Sequence, residues 1–430
     1  METTTRAAGM ARTRRASQPL IITATTLGNA LEFFDFTVYG FMAVVIGKVF
    51  FPMMSSYIQL LLSVATFGVG FIMRPLGALL IGAYADRAGR KAAMTLTIFL
   101  MALGCAMIGL TPSYAQIGLA APLVVVLARM LQGFSAGGEV GASTTLLVEY
   151  ATPRNRGFLG SWQFASQGLG VTLGALCSGG VSYFLSPESL QSWGWRVPFL
   201  LGILIGPLGI FIRRRLDETH SEQHAVLAPI RTVLTGHWRG ILLGTLLTMG
   251  STACAYITTF YMPTYAIREL HLPVPVALLA AIWSGVLTFI FAPLAGLLSD
   301  RTSRKLLITI SRVLTLLLIY PGFLWLTANP SSLSLLTVVG VLSVLLAFQS
   351  APGITMLPEI FPQAVRATGM SIVYGTGVAI FGGFAPFIAT WLINETGSKL
   401  APAWYVIACV CVSSIALLIL KDRTGEQLDT

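Results

Sequence analysis

Residues 127–141, with the sequence LARMLQGFSAGGEVG, place charged and amide side chains inside a long apolar stretch. At 3.6 residues per helical turn, Arg129, Gln132 and Glu139 fall on one face of a helix. A charge that faces lipid near the middle of a bilayer costs roughly 3 kcal/mol or more. The pattern therefore predicts that this face lines a wet cavity enclosed by the rest of the protein.

Two more carboxylates lie in an apolar stretch near the start of the chain, where Glu32 and Asp35 share a helix face with Tyr39. Two carboxylates close together in a low-dielectric site disfavour double ionisation, so one of them can hold a proton near neutral pH. Glu32, Asp35 and Glu139 are therefore candidates for proton coupling. For each of them, a permanent structural role as a cap or an ion-pair partner is the alternative. A direct pair of Glu139 with Arg129 is not expected, since about 15 Å of helix separates them.

Arg129 is the strongest candidate for binding an anion, because a guanidinium can hold a carboxylate with two hydrogen bonds. Gln132, Gln163 and Gln167 are candidates for binding a carboxylate or hydroxyl of the same ligand. Tyr39 is a further candidate, since it follows the two carboxylates on their helix face. A helix-pairing role is the alternative for Arg129.

The second half of the chain shows no acid or base well inside an apolar stretch, so we expect it to contribute shape and neutral hydrogen bonds. Arg74, in the first half, is interpreted as a residue that snorkels or braces the kink at Pro75. The neutral candidates of the second half are Tyr256, Tyr261, Trp283, Gln349 and Tyr374.

The composition indicates a bundle embedded in a membrane. Of the 430 residues, 55% are hydrophobic and 10% are charged, and the mean hydropathy is +0.78. Soluble chains carry about 25% charged residues. With about 20 apolar residues as the minimum for a crossing helix, the sequence predicts an all-α membrane protein of twelve transmembrane helices. They run over residues 21–46, 57–83, 92–111, 117–148, 158–185, 196–212, 239–264, 274–298, 306–327, 332–357, 370–393 and 402–420.

The distribution of Lys and Arg predicts the orientation of these helices. Most of the 27 fall in loops on the side that holds the N-terminus, while Lys48, Arg196, Arg268 and Lys399 fall on the other side. Because basic loops stay in the cytosol, both termini are expected there. The loops account for the net charge of +10, so no nucleic-acid partner is expected. The sequence also lacks a phosphate-binding loop, a Cys/His metal cluster and a nucleophile motif, so we expect no enzyme, cofactor or metal.

The chain repeats itself. GAYADRAGRK at residues 82–91 matches GLLSDRTSRK at residues 296–305 in its Gly, Asp, Arg, Arg and Lys residues. Two halves of six helices that rock against each other are the plan of many secondary transporters. The predicted parts are a cytosolic tail at 1–20, a first bundle at 21–212, a cytosolic linker at 213–238, a second bundle at 239–420 and a tail at 421–430.

The repeated charges are predicted to form a latch that is made in one conformation and broken in the other. A role in membrane topology alone is the alternative. A second echo, a Glu followed by an Arg, precedes the fifth and the eleventh predicted helix. The latch candidates are Asp86, Arg87, Arg90, Asp300, Arg301, Arg304, Glu149, Arg156, Glu359 and Arg366.

The chain resembles the major facilitator superfamily through residues 28–40, 67–91, 129–141 and 193–199. Within it, the chain resembles the metabolite:proton symporters. It is most similar to the citrate and tricarballylate proton symporters, through the sequences at residues 114–139, 149–167 and 381–397.

The resemblance implies a transporter that imports a tricarboxylate together with protons, by alternating access. It also implies a multi-pass protein of the bacterial cytoplasmic membrane that acts as a monomer, with a small carboxylate, protons and the lipid bilayer as its partners. Symport of 2-oxoglutarate or another dicarboxylate, of shikimate or of a betaine stays open. Drug/proton antiport is a further alternative, which the cationic Arg129 disfavours.

Overall fold

The computed structural model describes residues 18–213 and 229–427. Over these ranges twelve long helices form, which we label α1 to α12. Eleven are long and apolar enough to cross a membrane, and the remaining one, Arg156–Phe184, has 29 residues. The twelve are α1 (Gln18–Phe50), α2 (Ser56–Ala88), α3 (Arg90–Leu110), α4 (Ala120–Tyr150), α5 (Arg156–Phe184), α6 (Arg196–Arg213), α7 (Trp238–Arg268), α8 (Val274–Arg301), α9 (Arg304–Ala328), α10 (Ser332–Glu359), α11 (Gln363–Thr396) and α12 (Ala401–Ile419).

The predicted all-α membrane fold is confirmed, and the local sequence explains where several helices begin. The Ser303 hydroxyl accepts a hydrogen bond from the Leu306 N–H over 3.0 Å, and Ser331 accepts one from Ser334 over 3.1 Å. These bonds satisfy N–H groups that the first turn of a helix leaves without a partner. Between α2 and α3, Gly89 has a φ of 100°, a conformation suited to glycine.

Two of the helices are interrupted along their length. A π-helical stretch covers Tyr256–Tyr261 within α7, and another covers Ala379–Gly383 within α11. Pro263 and Pro386 lie just beyond these stretches, and proline has no N–H to continue a regular ladder. Such bulges redirect side chains and are frequent at functional sites.

Helices α1–α6 pack as one half and α7–α12 as the other, and the halves meet mainly along α5 with α8 and along α2 with α11. Glycines allow the closest approach. A Cβ on Gly168 would lie 2.6 Å from the carbonyl oxygen of Gly285, and a Cβ on Gly285 would lie 2.8 Å from that of Gly168. Only residues without a side chain let backbones meet this closely.

The outer surface of the bundle is apolar. Leu123 of α4, Leu317 of α9 and Ile415 of α12 are all about 60% exposed. Large apolar side chains exposed along whole helices are what a lipid environment requires, because the bilayer core offers no water. This surface agrees with the lipid partner predicted from the composition.

The predicted domain boundaries fall partly outside the described residues. Residues 1–17 of the N-terminal tail and residues 214–228 of the linker lie there, as do residues 428–430. The part of the linker that is described contains a short helix, Pro229–Gly236, whose Val233 is buried beside Phe361 and Val365. The division into tails, bundles and linker stays a prediction.

Candidate functional site

A cavity lies between the two halves. α1 and α5 form one wall with Phe33, Phe164 and Gln167, and helices from α7 to α11 form the other. About 770 Å³ of space, including solvent that is open to the outside, is free of protein atoms there. The polar groups of its lining include Gln167, Thr248, Ser251, Tyr256, Arg312, Gln349 and Tyr374.

Two residues chosen from the sequence, Gln167 and Tyr374, meet in this cavity. The Gln167 side-chain nitrogen donates to the Tyr374 hydroxyl over 3.0 Å and so joins α5 to α11. Across the cavity, Gln349 is only 1% exposed, and neither of its amide atoms has a hydrogen-bond partner among the described residues. The buried hydroxyl of Tyr256 likewise has no hydrogen-bond partner among the described residues. Since buried polar groups are normally paired, these groups are available to water or to a ligand.

Arg74 of α2 forms a buried ion pair with Glu32 of α1, with 2.5 Å between Nη2 and Oε1. Both side chains are 1% exposed, so the interpretation of Arg74 as a snorkelling residue is wrong. Its guanidinium lies 4.8 Å from the ring centroids of Phe36 and Phe71. Phe71 in turn contacts Tyr256 of the cavity wall, with ring centroids 5.8 Å apart. The ion pair is therefore one aromatic layer away from the cavity.

Arg129 forms the second buried ion pair. Its Nη1 is 2.5 Å from Asp35 Oδ2 and 2.8 Å from Gln132 Oε1, and its guanidinium lies 3.8 Å from the centroid of the Tyr39 ring. The structure thus brings together four residues that the sequence nominated separately as ligand or proton sites. None of the four is among the described residues that line the cavity. The roles of Arg129, Gln132 and Tyr39 as substrate ligands stay predictions.

Glu139 and Gln163 lie deeper in the first half. The Thr97 hydroxyl donates to the carboxylate of Glu139, and the Ser143 hydroxyl donates to Gln163 Oε1 over 3.0 Å. Arg129 pairs with Asp35 and not with Glu139, as the helix spacing predicted. Gln163 has no place in the described cavity lining, so its role as a ligand also stays a prediction.

One group of buried side chains in the first half holds more carboxylates than guanidiniums among the described residues. Glu32 is within electrostatic range of both Asp35 and Glu139. These three carboxylates share the region with two guanidiniums, those of Arg74 and Arg129. One added proton would balance the charges of this group, which is the arrangement that proton coupling needs.

The expectation that the second half holds no charge inside a helix is wrong. Arg312 lies about two turns into α9 and is 2% exposed. Its Nη1 donates to the Ser413 carbonyl over 2.8 Å and its Nη2 to the Leu247 carbonyl over 2.9 Å. The sequence did contain the signal, an arginine inside the ninth predicted helix. It was missed because it follows the basic loop at residues 301–305 closely enough to be counted with it.

The predicted latch residues gather at the end of the bundle that carries both copies of the repeated loop, which we call the motif end. In one cluster, Asp86 pairs with Arg90, and Glu149 lies 3.3 Å from both Arg90 and Arg366. Asp86 also accepts a hydrogen bond from the backbone N–H of Thr368 over 2.8 Å. This cluster joins the first half to the start of α11 in the second half.

The second cluster repeats this geometry with the halves exchanged. Glu359 lies 2.7 Å from Arg304 and 2.8 Å from Arg156, while Asp300 lies 3.6 Å from Arg304. Asp300 accepts hydrogen bonds from the backbone N–H groups of Gly157 (2.7 Å) and Phe158 (2.8 Å). Each loop aspartate thus caps the first turn of a helix in the opposite half, where an anion is favoured.

Two latch candidates lie outside the two clusters described above. The side chains of Arg87 and Arg301 are exposed and take no part in the ion pairs named above. Each follows the capping aspartate directly in the sequence, so its side chain leaves the helix on a different side. The role of these two residues in the latch stays a prediction.

Known proteins share this fold and sequence. A solved structure of the MFS (major facilitator superfamily) proton:xylose symporter XylE bound to 6-bromo-6-deoxy-D-glucose superposes with a TM-score of 0.80 at 18% identity, covering 96% of this chain and 97% of that one. An inward open structure of the xylose transporter XylE from E. coli superposes with a TM-score of 0.72 at 16% identity. This match covers 96% of this chain and 98% of that one. These two matches establish the major facilitator fold.

Sequence relatives cover nearly the whole chain. A citrate-proton symporter of Klebsiella pneumoniae is 38% identical over 95% of this chain and 93% of the relative, and one of Salmonella typhi is 39% identical over 96% of both. A proline/betaine transporter of Escherichia coli K12 is 32% identical over 95% of this chain and 84% of its own length. The family model described as "Sugar (and other) transporter" matches residues 20–225 and 213–422.

The fold and these matches define the class of the protein as a membrane transporter with the major facilitator fold, and not an enzyme. It is a multi-pass protein of the bacterial inner membrane. Within the class, the chain belongs to the sugar (and other) transporter family. The family model matches once over each half, in agreement with the repeated loops in the sequence.

Proposed function

We propose that this protein imports a tricarboxylate such as citrate together with protons, by alternating access. The observation that carries the proposal is a buried group in the first half, with the three carboxylates of Glu32, Asp35 and Glu139 and the two guanidiniums of Arg74 and Arg129, next to a cavity between the halves. Uptake of an anion needs a nearby negative charge to be cancelled first, and a proton on one of the three carboxylates does this. The citrate-proton symporters among the relatives support the choice of substrate.

Glu32 is the carboxylate best placed to couple the proton to the substrate. Its partner Arg74 is separated from the cavity by Phe71 and Tyr256, and the Nε and Nη1 atoms of Arg74 have no hydrogen-bond partner among the described residues. When Glu32 takes up a proton, its attraction for Arg74 weakens. The positive charge beside the cavity is then free to attract a carboxylate. Asp35 and Glu139 are the other two candidates for the coupled proton.

The conformation described here is closed at the motif end, where both charge clusters join the halves. The basic loops support a cytosolic position of the motif end. In this orientation the clusters must break before the substrate and the proton can leave to the cytosol.

Uptake into proteoliposomes tests the proposal. Citrate and tricarballylate should accumulate when the outside is acidic, and a protonophore should abolish the accumulation. Gln167→Glu should reduce uptake strongly, because it adds a negative charge to the cavity. Gln191→Glu makes the same change at an exposed site and should leave uptake unchanged.

The same assay separates the alternatives. A panel of 2-oxoglutarate, shikimate, proline and glycine betaine is measured beside the two tricarboxylates. Accumulation of proline or betaine without either tricarboxylate would overturn the proposed substrate. Citrate accumulation that persists with the protonophore would overturn the proton coupling.

A further inference from the structure

Arg312 differs from the other guanidiniums buried within the helices around the cavity. Arg74 pairs with Glu32 and Arg129 pairs with Asp35, each over 2.5 Å. Arg312 has hydrogen bonds only to two backbone carbonyls, and none of the ion pairs among the described residues includes it. Its Nε has no hydrogen-bond partner in that part of the chain.

A buried cation in this position is costly. Carbonyl dipoles compensate part of the lost hydration, but an ionised group taken out of water normally needs a countercharge. The protein supplies carboxylates for its other two guanidiniums beside the cavity, so the lack of one for Arg312 calls for a cause. An anionic ligand would provide the missing charge when it binds.

Free space and polar atoms lie beside Arg312 in the cavity. Arg312 lines the same cavity as Gln167 and Tyr374, together with Gln349 and Gly353 of α10. A Cβ built on Gly353 would meet only Ile308 Cδ1, at 4.0 Å. The two unpartnered amide atoms of Gln349 add a donor and an acceptor to this part of the cavity.

We propose that Arg312 binds one carboxylate of the substrate and is the anion anchor of the second half. This assignment rests on the proposed function and extends it. The Gln167–Tyr374 hydrogen bond and the Arg74–Glu32 pair mark the place of a second carboxylate on the opposite side of the cavity. A ligand with two carboxylates can be held there and at Gln349, and a third carboxylate then reaches Arg312. Arg312 therefore sets the preference for three carboxylates over two.

The competing explanation is that Arg312 only braces α9 against α7 and α12 through its two carbonyl bonds. The two explanations differ in how a loss of Arg312 affects different ligands. A lost brace weakens the binding of every ligand to a similar degree. If Arg312 binds the third carboxylate, its loss weakens the binding of tricarboxylates. The binding of ligands that do not contact Arg312 is then unchanged.

The test uses substrate exchange across proteoliposome membranes without a proton gradient, so that coupling does not enter the measurement. Tricarballylate and glutarate, with three and two carboxylates, compete against labelled citrate. In the parent, tricarballylate should compete better by about tenfold or more, the expected value of one charge-assisted contact. In Arg312→Gln the ratio of the competing strengths of tricarballylate and glutarate should fall towards one. Arg312→Lys, which keeps a positive charge, should restore part of this ratio.

Ser413→Ala is the matched control, because it removes the Ser413 hydroxyl bond to the Leu247 carbonyl and keeps the guanidinium. It should leave the ratio at the parental value. An unchanged ratio in Arg312→Gln, or in the likewise uncharged Arg312→Met if the Gln variant does not fold, would overturn the assignment of Arg312. A parent that exchanges neither acid would instead overturn the proposed function and this assignment together.

Discussion

At the scale of single residues, the buried ion pairs explain how this protein tolerates charge within a membrane. Arg129 and Asp35 are each 1% exposed and hold each other over 2.5 Å, with Gln132 and the Tyr39 ring completing the contacts of the guanidinium. A buried pair of this kind contributes little net stability, because desolvation offsets the attraction. Removing one partner is different, since it leaves the other charge buried alone.

Arg129→Gln is therefore expected to destabilise the protein by about 3–5 kcal/mol, the usual effect of breaking a buried pair. The double variant Arg129→Gln/Asp35→Asn should recover much of this loss, because no unpaired charge remains. Thermal unfolding of the purified protein in detergent measures both effects. Arg154→Gln serves as the control at an exposed site.

The double variant also separates the two roles proposed for Arg129. If the protein folds and still exchanges citrate, Arg129 is a structural partner of Asp35 and not a substrate ligand. If it folds and exchanges no citrate, the prediction of a ligand role gains support. A double variant that is no more stable than Arg129→Gln alone would contradict the ion-pair argument.

At the scale of helices, the repeated loops act on the starts of helices in the opposite half. Asp86 caps the first helical turn at Arg366, and Asp300 caps the first turn of α5. The two clusters are not fully equivalent, because the described part of the C-terminal segment, up to residue 427, adds contacts to the second cluster. Arg423 donates to the Glu359 carbonyl over 3.1 Å, and Arg156 donates to the Glu426 carbonyl over 3.0 Å.

Asp86→Asn should shift the protein towards conformations that are open at the motif end. The change removes a charge that accepts hydrogen bonds from Thr368 and pairs with Arg90. Charge-assisted hydrogen bonds contribute about 1.5–3 kcal/mol, so the open population should rise about tenfold or more. Spin labels on Arg154 and Thr302, which are exposed at the motif end in different halves, report the change as a longer distance.

Glu395→Gln is the control for this measurement, since it removes a carboxylate at an exposed position elsewhere. Its distance distribution should match that of the parent. An Asp86→Asn variant with the parental distribution would show that the aspartate does not hold the motif end closed. Its role would then be limited to the topology of the loop.

At the scale of the whole molecule, the two halves share a fold but differ in charge. The first half holds Glu32, Asp35 and Glu139 with two guanidiniums, and the second half holds Arg312 without a carboxylate partner among the described residues. A proton that binds to one of these three carboxylates makes the net charge of the first-half group more positive. The binding of an anion in the cavity is then favoured. The coupling is therefore a property of the charge balance across both halves and not of one residue.

Glu32→Gln is expected to uncouple transport, because the amide imitates the protonated acid permanently. Citrate exchange should continue, while accumulation driven by a proton gradient should be lost. The two activities are compared in one proteoliposome preparation, with Glu188→Gln as the matched change at an exposed site. If Glu32→Gln accumulates citrate at the parental level, Glu32 does not carry the coupled proton. The proton is then assigned to Asp35 or Glu139.

Much of the fold is predictable from the sequence, because a bilayer restricts the chain to a few solutions. The lengths of the apolar stretches, the basic loops and the repeat at residues 82–91 and 296–305 indicate twelve helices in two related halves. Helical periodicity also predicts that Glu32, Asp35 and Tyr39 share a face and that Glu139 cannot reach Arg129. These are local properties, and they depend only on spacing along one helix.

Only the tertiary structure decides which charges meet across helices. Periodicity cannot show that Arg74 pairs with Glu32, that Arg129 is held by Asp35 or that Gln167 bonds to Tyr374, because these contacts join distant parts of the chain. Arg312 shows the same limit, since its partners lie on α7 and α12. The sequence determines which residues are buried in the membrane, whereas the packing of the helices selects the partner of each one.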